Sequence, residues 1–206
     1  MEALTVRADG EIVAACERWL EAVPYPTAVL VLAIEHCRDA SAARAVGKLP
    51  MPVLGHASGA VRDQALELWL ACDVRMADPA ATFGVSPEYI PTAGLTYRLP
   101  KAVGRSAALD LLLVRDQIDA TEALRLGLAT RQGREAAAEQ FLIGMLELPP
   151  VAARFAKEAI LRGESLSLEQ GLQLETDLYA LLQTTTDRAE GLAAWREKRP
   201  PQFHGD

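Results

Sequence analysis

Apolar and polar positions alternate from the start of the chain. Leu4, Val6 and Ala8 are separated by polar neighbours, the period of a short strand. Ile12, Cys16, Trp19, Leu20 and Val23 then recur at helical spacing over residues 11–23. Residues 28–34, Ala-Val-Leu-Val-Leu-Ala-Ile, are apolar without a break. A strand buried on both faces reads this way, and it needs helices on either side of its sheet. An Ala-rich helical stretch over residues 39–47 leads to Pro52-Val-Leu-Gly-His-Ala, the next expected strand. Helix alternating with buried strand as far as residue 83 predicts an α/β arrangement. After Gly94 the pattern turns helical. Asp119 and Glu122 have the spacing of a capping box and Gly127 closes that helix, while Asp187 and Glu190 repeat the device. Three helical stretches are expected over residues 134–197, with Leu168, Leu172, Leu178 and Leu182 on one face of the longest.

Composition narrows the class. A chain of 206 residues is one domain, or one domain with a helical appendage. Lys and Arg number 21 against 28 Asp and Glu, a formal charge of −7, so no excess of cations is available to displace counterions from a nucleic acid. The apolar run at 28–34 stops at Glu35, too short for a bilayer, and no membrane partner is expected. Residues 1–7 lack a basic start followed by an apolar stretch, so a cytoplasmic location is expected. Cys16, Cys37 and Cys72 form no CxxC pair, which suggests neither a disulfide framework nor a metal site.

The most informative stretch is residues 59–73. From residue 65 to residue 72 every side chain is apolar except Glu67. A helix apolar all round is a buried helix. Burial disfavours the charged form of a carboxylate and brings it toward the range useful for proton transfer. Gln64, three residues earlier, shares the face of Glu67. The alternative is a structural carboxylate at a helix edge or paired with an arginine. His56 reads as a core histidine, and His36 has no partner at metal-ligand spacing.

Pro52-Val-Leu-Gly-His-Ala-Ser-Gly59, followed by Leu66-Glu-Leu-Trp-Leu-Ala-Cys-Asp-Val-Arg-Met-Ala77, resembles the signature of the crotonase superfamily, the enoyl-CoA hydratases and isomerases. Further matches follow in order: Phe83-Gly84, Arg98-Leu-Pro-Lys-Ala-Val-Gly104, Ala123-Leu-Arg-Leu-Gly-Leu128 and Glu197-Lys-Arg-Pro-Pro201. The resemblance implies a crotonase-like spiral of β-β-α turns over residues 1–133 and a C-terminal helical trimerisation region over residues 134–206. It implies an acyl-CoA or acyl-carrier thioester as partner, with coenzyme A entering only as part of the substrate. It also implies a homotrimer or a dimer of trimers. Such proteins hold an enolate oxyanion on two backbone N–H groups, and two glutamates of the hydratases handle water and protons. Glu67 falls on the first of these glutamates. Glu88, in Pro87-Glu88, resembles the second; its other reading is a solvated loop acid. Lys198 falls where the family meets the nucleotide of coenzyme A, although a cation at a helix end also complements the dipole.

The sequence departs from the family in two places. A glycine triplet before the helix is replaced by Asp63-Gln64-Ala65, with Gln64 at the position of one oxyanion donor. Asp63 is expected to occupy the space at the helix N-terminus where an anion would bind. The loop between Glu35 and Pro52 is short, and Ala40 or Ala42 stands nearest to the second donor. Three readings follow: a hydratase, dehydratase or isomerase of acyl thioesters using Glu67; a catalytically degenerate homologue serving as a binding or scaffold protein; and a thioester hydrolase of the same family.

Overall fold

The computed structural model describes residues 4–8, 11–22 and 27–206. Val23 and residues 1–3, which entered the reading above, lie outside the described residues. Strand β1 (Leu4–Arg7), helix α1 (Ile12–Glu21) and strand β2 (Val29–Leu32) form a parallel β-α-β unit. A 3-10 turn at Ile34–His36 and α2 (Ala40–Val46) lead to β3 (Val53–Ala57), parallel to β2. Successive segments then feed two sheets. β4 (Ala60–Arg62) leaves the first sheet, α3 (Gln64–Ala71) returns the chain, β5 (Val74–Ala77) pairs with β3, and β6 (Thr82–Gly84) pairs with β4. After α4 (Leu95–Val103) and α5 (Arg105–Leu113), β7 (Gln117–Asp119) runs antiparallel to β6. Helix α6 (Ala120–Leu126) leads to β8 (Arg131–Gln132) beside β5. The sheets have orders β1-β2-β3-β5-β8 and β4-β6-β7. This is the expected spiral of β-β-α turns.

Burial explains the register. Val29 and Val31 of β2 face the main core, whereas Leu30 and Leu32, with Ala28 just before the strand, face α7 (Glu135–Leu146). Each such aliphatic contributes roughly 1.5–3 kcal/mol when fully buried. In the main core Trp69 and Phe83 pack with ring centroids 5.1 Å apart, and the Trp69 indole donates to the Leu128 carbonyl at 2.9 Å. Trp69 thereby joins α3 to the end of α6.

Four helices, not three, fill the C-terminal region among the described residues: α7, α8 (Pro150–Gly163), α9 (Leu168–Leu182) and α10 (Thr186–Glu197). Pro150 begins α8, where a missing N–H removes no helical bond. Lys157 pins α8 to the spiral, its ammonium donating to the Met51 carbonyl at 3.0 Å and to Asp73 at 2.6 Å. Ser167 and Gln170 make a complete capping box on α9. Only half of the box expected at α6 forms: Asp119 accepts from the Glu122 N–H, and the Glu122 carboxylate turns to Arg125 instead. The box expected at Asp187 and Glu190 is absent, because Thr185 caps α10. Asp187 instead accepts from the backbone N–H groups of His204 and Gly205, at 2.6 and 2.9 Å. Glu190 accepts from the Gln202 N–H at 2.8 Å and from the Arg199 guanidinium. Both acids hold the tail against α10.

Arg199 and, secondly, the Gln202 N–H hold the Glu190 carboxyl down from 4.5 to about 2. A carboxylate depressed in the folded state stabilises the docked tail above the ordinary value and loses that contribution as pH falls toward about 2. The protection of the Gln202 amide, its exchange relative to an unstructured peptide at the same pH, is expected to hold at pH 5 and to fall on acidification toward pH 2 to 3. Glu190→Gln should remove that pH-dependent step, since its amide oxygen can still accept from the Gln202 N–H but does not titrate.

Candidate active site

The site begins where β4 hands over to α3. Asp63 precedes the helix with φ 57° and ψ −118°, a left-handed conformation that favours glycine. Such a residue costs on the order of 1–3 kcal/mol unless its surroundings enforce it. Ser86 enforces it, donating from its N–H and its hydroxyl to the two oxygens of Asp63, each at 2.8 Å. Asp63 therefore makes no side-chain cap on α3. The expectation that its carboxylate occupies the helix N-terminus is corrected: both oxygens are committed to Ser86. The Gln64 N–H lies in the first turn of α3, where helical N–H groups have no partner within the helix.

Glu67 is completely buried. Its Oε1 accepts from the backbone N–H groups of Thr92 (3.0 Å), Ala93 (2.7 Å) and Leu95 (3.4 Å). Its Oε2 accepts from the Tyr89 hydroxyl at 2.9 Å. Helix α4 starts at Leu95 after Gly94, whose φ of 105° suits glycine and which has no side chain to cap with. Glu67 supplies the missing cap from a neighbouring helix, a favourable place for an anion. The alternative of a carboxylate at a helix edge or paired with an arginine is not what forms: Glu67 is fully buried, and its partners are amides and a phenol.

A turn at residues 86–89, closed by the Tyr89 N–H on the Ser86 carbonyl at 2.9 Å, decides which side chain reaches Glu67. Tyr89 turns inward to Glu67, and Glu88 is exposed. The structure does not bring Glu88 to Glu67. Burial first, and the bond to Glu67 second, push the Tyr89 phenol well above its ordinary value. Cys37 is buried nearby, its thiol pushed up chiefly by burial and slightly by the charge of Glu67.

The second candidate donor lies on α2. Asp39 caps this helix through the Ser41 N–H at 2.8 Å, and Ala40 is its first residue. The Ala42 N–H is already taken by the Asp39 carbonyl at 3.2 Å. The sequence reading did not single out Glu35. This carboxylate is buried and accepts from Ser58 through its N–H (3.2 Å) and hydroxyl (2.7 Å), fastening the shortened loop to the end of β3. A β-carbon on Gly59 would lie 3.1 Å from Glu35, so glycine suits that position. Its only signal in the sequence is a charge ending an apolar run.

Lys198 ends α10 with φ 55° and an exposed side chain, and it shares no hydrogen bond with the Glu67 cluster. Arg199 beside it is engaged by Glu190 and Glu197. His56 is buried, its Nε2 3.1 Å from the Gly133 carbonyl. Among the described residues no group of His, Cys, Asp and Glu has the arrangement of a metal site, and the three thiols are free and buried.

Two sheets fed by β-β-α turns, with a buried glutamate on α3 and a helical C-terminal region, define a crotonase-type fold. The family profile described as Enoyl-CoA hydratase/isomerase matches residues 33–206, and the chain belongs to that family. It is similar to the mitochondrial methylglutaconyl-CoA hydratases of Mus musculus and Homo sapiens, each 37% identical over 172 residues that cover 78% of this chain. Those matches cover 55% and 51% of the relatives, so the chain spans about half the length of the curated relatives it matches. The crystal structure of an enoyl-CoA hydratase from Bacillus anthracis superposes with a TM-score of 0.85 at 29% identity, covering 95% of this chain and 88% of that one.

Removing the Glu67 carboxylate leaves buried donors without partners, at roughly 1–3 kcal/mol each. Glu67→Ala is expected to lower stability by about 3–5 kcal/mol in urea denaturation, because several buried donors lose one charged acceptor together. Glu67→Gln should lose only about 1 kcal/mol, because its amide oxygen can still accept from the backbone and its NH2 can donate to Tyr89.

Proposed function

We propose that the protein acts on an acyl-CoA or acyl-carrier thioester by proton transfer next to the carbonyl. The developing enolate oxygen is held by the Gln64 N–H, with Ala40 the candidate for the second donor, and Glu67 is the acid/base. The observation that carries this reading is the buried Glu67–Tyr89 pair on the helix whose first turn offers the Gln64 N–H. Family membership supplies the thioester. With Glu88 exposed, a single buried carboxylate serves the site, which favours isomerisation over hydration: one base can move a proton between two carbons, whereas hydration must both activate water and protonate carbon.

The degenerate-homologue reading draws on one observation of its own. Four donors already occupy Glu67, as they would if its task were only to cap α4. Turnover of short 2-enoyl- and 3-enoyl-CoA thioesters by Glu67→Gln separates the two readings. Loss of a positioned acid/base is expected to lower the rate about 10²–10⁴-fold, while the fold persists. Wild-type turnover in the variant would leave Glu67 a structural cap.

Residues 134–206 are proposed as the trimerisation region. Leu168, Tyr179 and Trp195 are 80%, 64% and 78% exposed on α9 and α10, more apolar surface than a solvated helix pair needs. Lys198 is proposed to meet the nucleotide of the coenzyme. A cytoplasmic location belongs to the same proposal, supported by the free thiols. Light scattering at micromolar concentration is expected to report a trimer or a dimer of trimers. A monomer would remove this part of the reading.

A further inference from the structure

We infer that Tyr89 is the proton relay of Glu67, the positioning residue through which the buried carboxylate exchanges its proton with solvent. The inference rests on the acid/base reading of Glu67. Glu67 is sealed from water, and its Oε1 is occupied by backbone N–H groups that donate but cannot carry a proton onward. The Tyr89 hydroxyl on Oε2, 2.9 Å away, is the one partner in the set that both donates and accepts. Tyr89 is half-buried, and Thr92, whose N–H donates to Glu67 beside it, is exposed. The phenol thus bridges a closed interior and an open surface.

The step balances without redox chemistry. The C–H bond next to the thioester carbonyl breaks, its electron pair passes into the enolate, and the proton bonds to Glu67. The Tyr89 O–H, which donates to the carboxylate, turns outward, and Glu67 then gives its proton to the phenol oxygen as the phenol's own proton passes to solvent water. The phenol does not ionise at neutral pH, since burial and the bond to Glu67 both oppose its charged form. The reverse sequence recharges Glu67 with solvent hydrogen. A proton on Glu67 therefore has two fates: return to the substrate carbon chain, or exchange through Tyr89.

The ratio of those fates is measurable. A short 3-enoyl-CoA converted in D2O, with the product read by NMR, reports deuterium gained per turnover. Tyr89→Phe keeps the ring and its packing but removes the hydroxyl. It is expected to lower deuterium incorporation per turnover on the order of tenfold, the low end of what a positioned proton carrier supplies. A purely structural defect would slow turnover and leave that ratio unchanged. If Glu67→Gln is inert while Tyr89→Phe exchanges at the wild-type ratio, the relay is overturned and the role of Glu67 stands. If Glu67→Gln turns over normally, or the wild-type protein moves no hydrogen in the thioester, the acid/base reading and the relay fall together.

Discussion

A buried carboxylate without partners would unfold this core; the same carboxylate with its donors organises it. Glu67 lies among Leu66, Leu68 and Trp69, where an uncompensated charge would be prohibitive. Three backbone N–H groups and one phenol compensate it. In return α4 receives the cap that Gly94 cannot supply, and the approach of residues 92–95 to α3 is fixed. Hydrogen bonds to a charged group are about twice as strong as neutral ones. The interaction thus ties one helix to the next at the point where the spiral turns toward its C-terminal half.

The departures from the family pattern are compensated locally. A residue with a β-carbon in the left-handed conformation of Asp63 is strained. Its carboxylate, held by two donors from Ser86, offsets that strain and leaves the first turn of α3 without a side-chain cap. The shortened loop before α2 is handled in the same way, with Glu35 held by Ser58 against the end of β3. At both places a side-chain carboxylate paired with a serine does by hydrogen bonding what glycine or a longer loop does by conformational freedom.

Features with strong periodicity were legible in the sequence. The unbroken apolar run of β2 is buried on both faces, and the one charge in α3 is buried with its helix. Features set by a single dihedral or a distant segment were not. Whether Glu88 or Tyr89 reaches Glu67 depends on the turn at 86–89, and adjacent residues there point opposite ways. Asp187 and Glu190 have helix-capping spacing, yet their partners lie in a tail that returns from beyond the helix end. The box at Ser167 and Gln170 follows the same spacing rule and begins α9, one of the four helices where three stretches are expected. Local pattern identifies a helix; the competition between nearby and returning donors decides what its acids do.

The two halves of the candidate site share one support. Ser86 at the start of the turn holds Asp63, and through it the peptide that presents the Gln64 N–H; Tyr89 at the end of the same turn holds Glu67. The turn is closed by its own backbone bond and lies just after β6. In the family this segment is longer and carries a second glutamate. Here a shorter connection spans the same gap; its two ends hold Asp63 and Glu67, and Glu88 between them is exposed. A turn that fixes both the first turn of α3 and the Glu67 carboxylate keeps their separation constant, because neither can shift without moving the turn. Proton transfer next to a carbonyl depends on that separation, since misplacement by about 1 Å can slow a reaction a hundredfold.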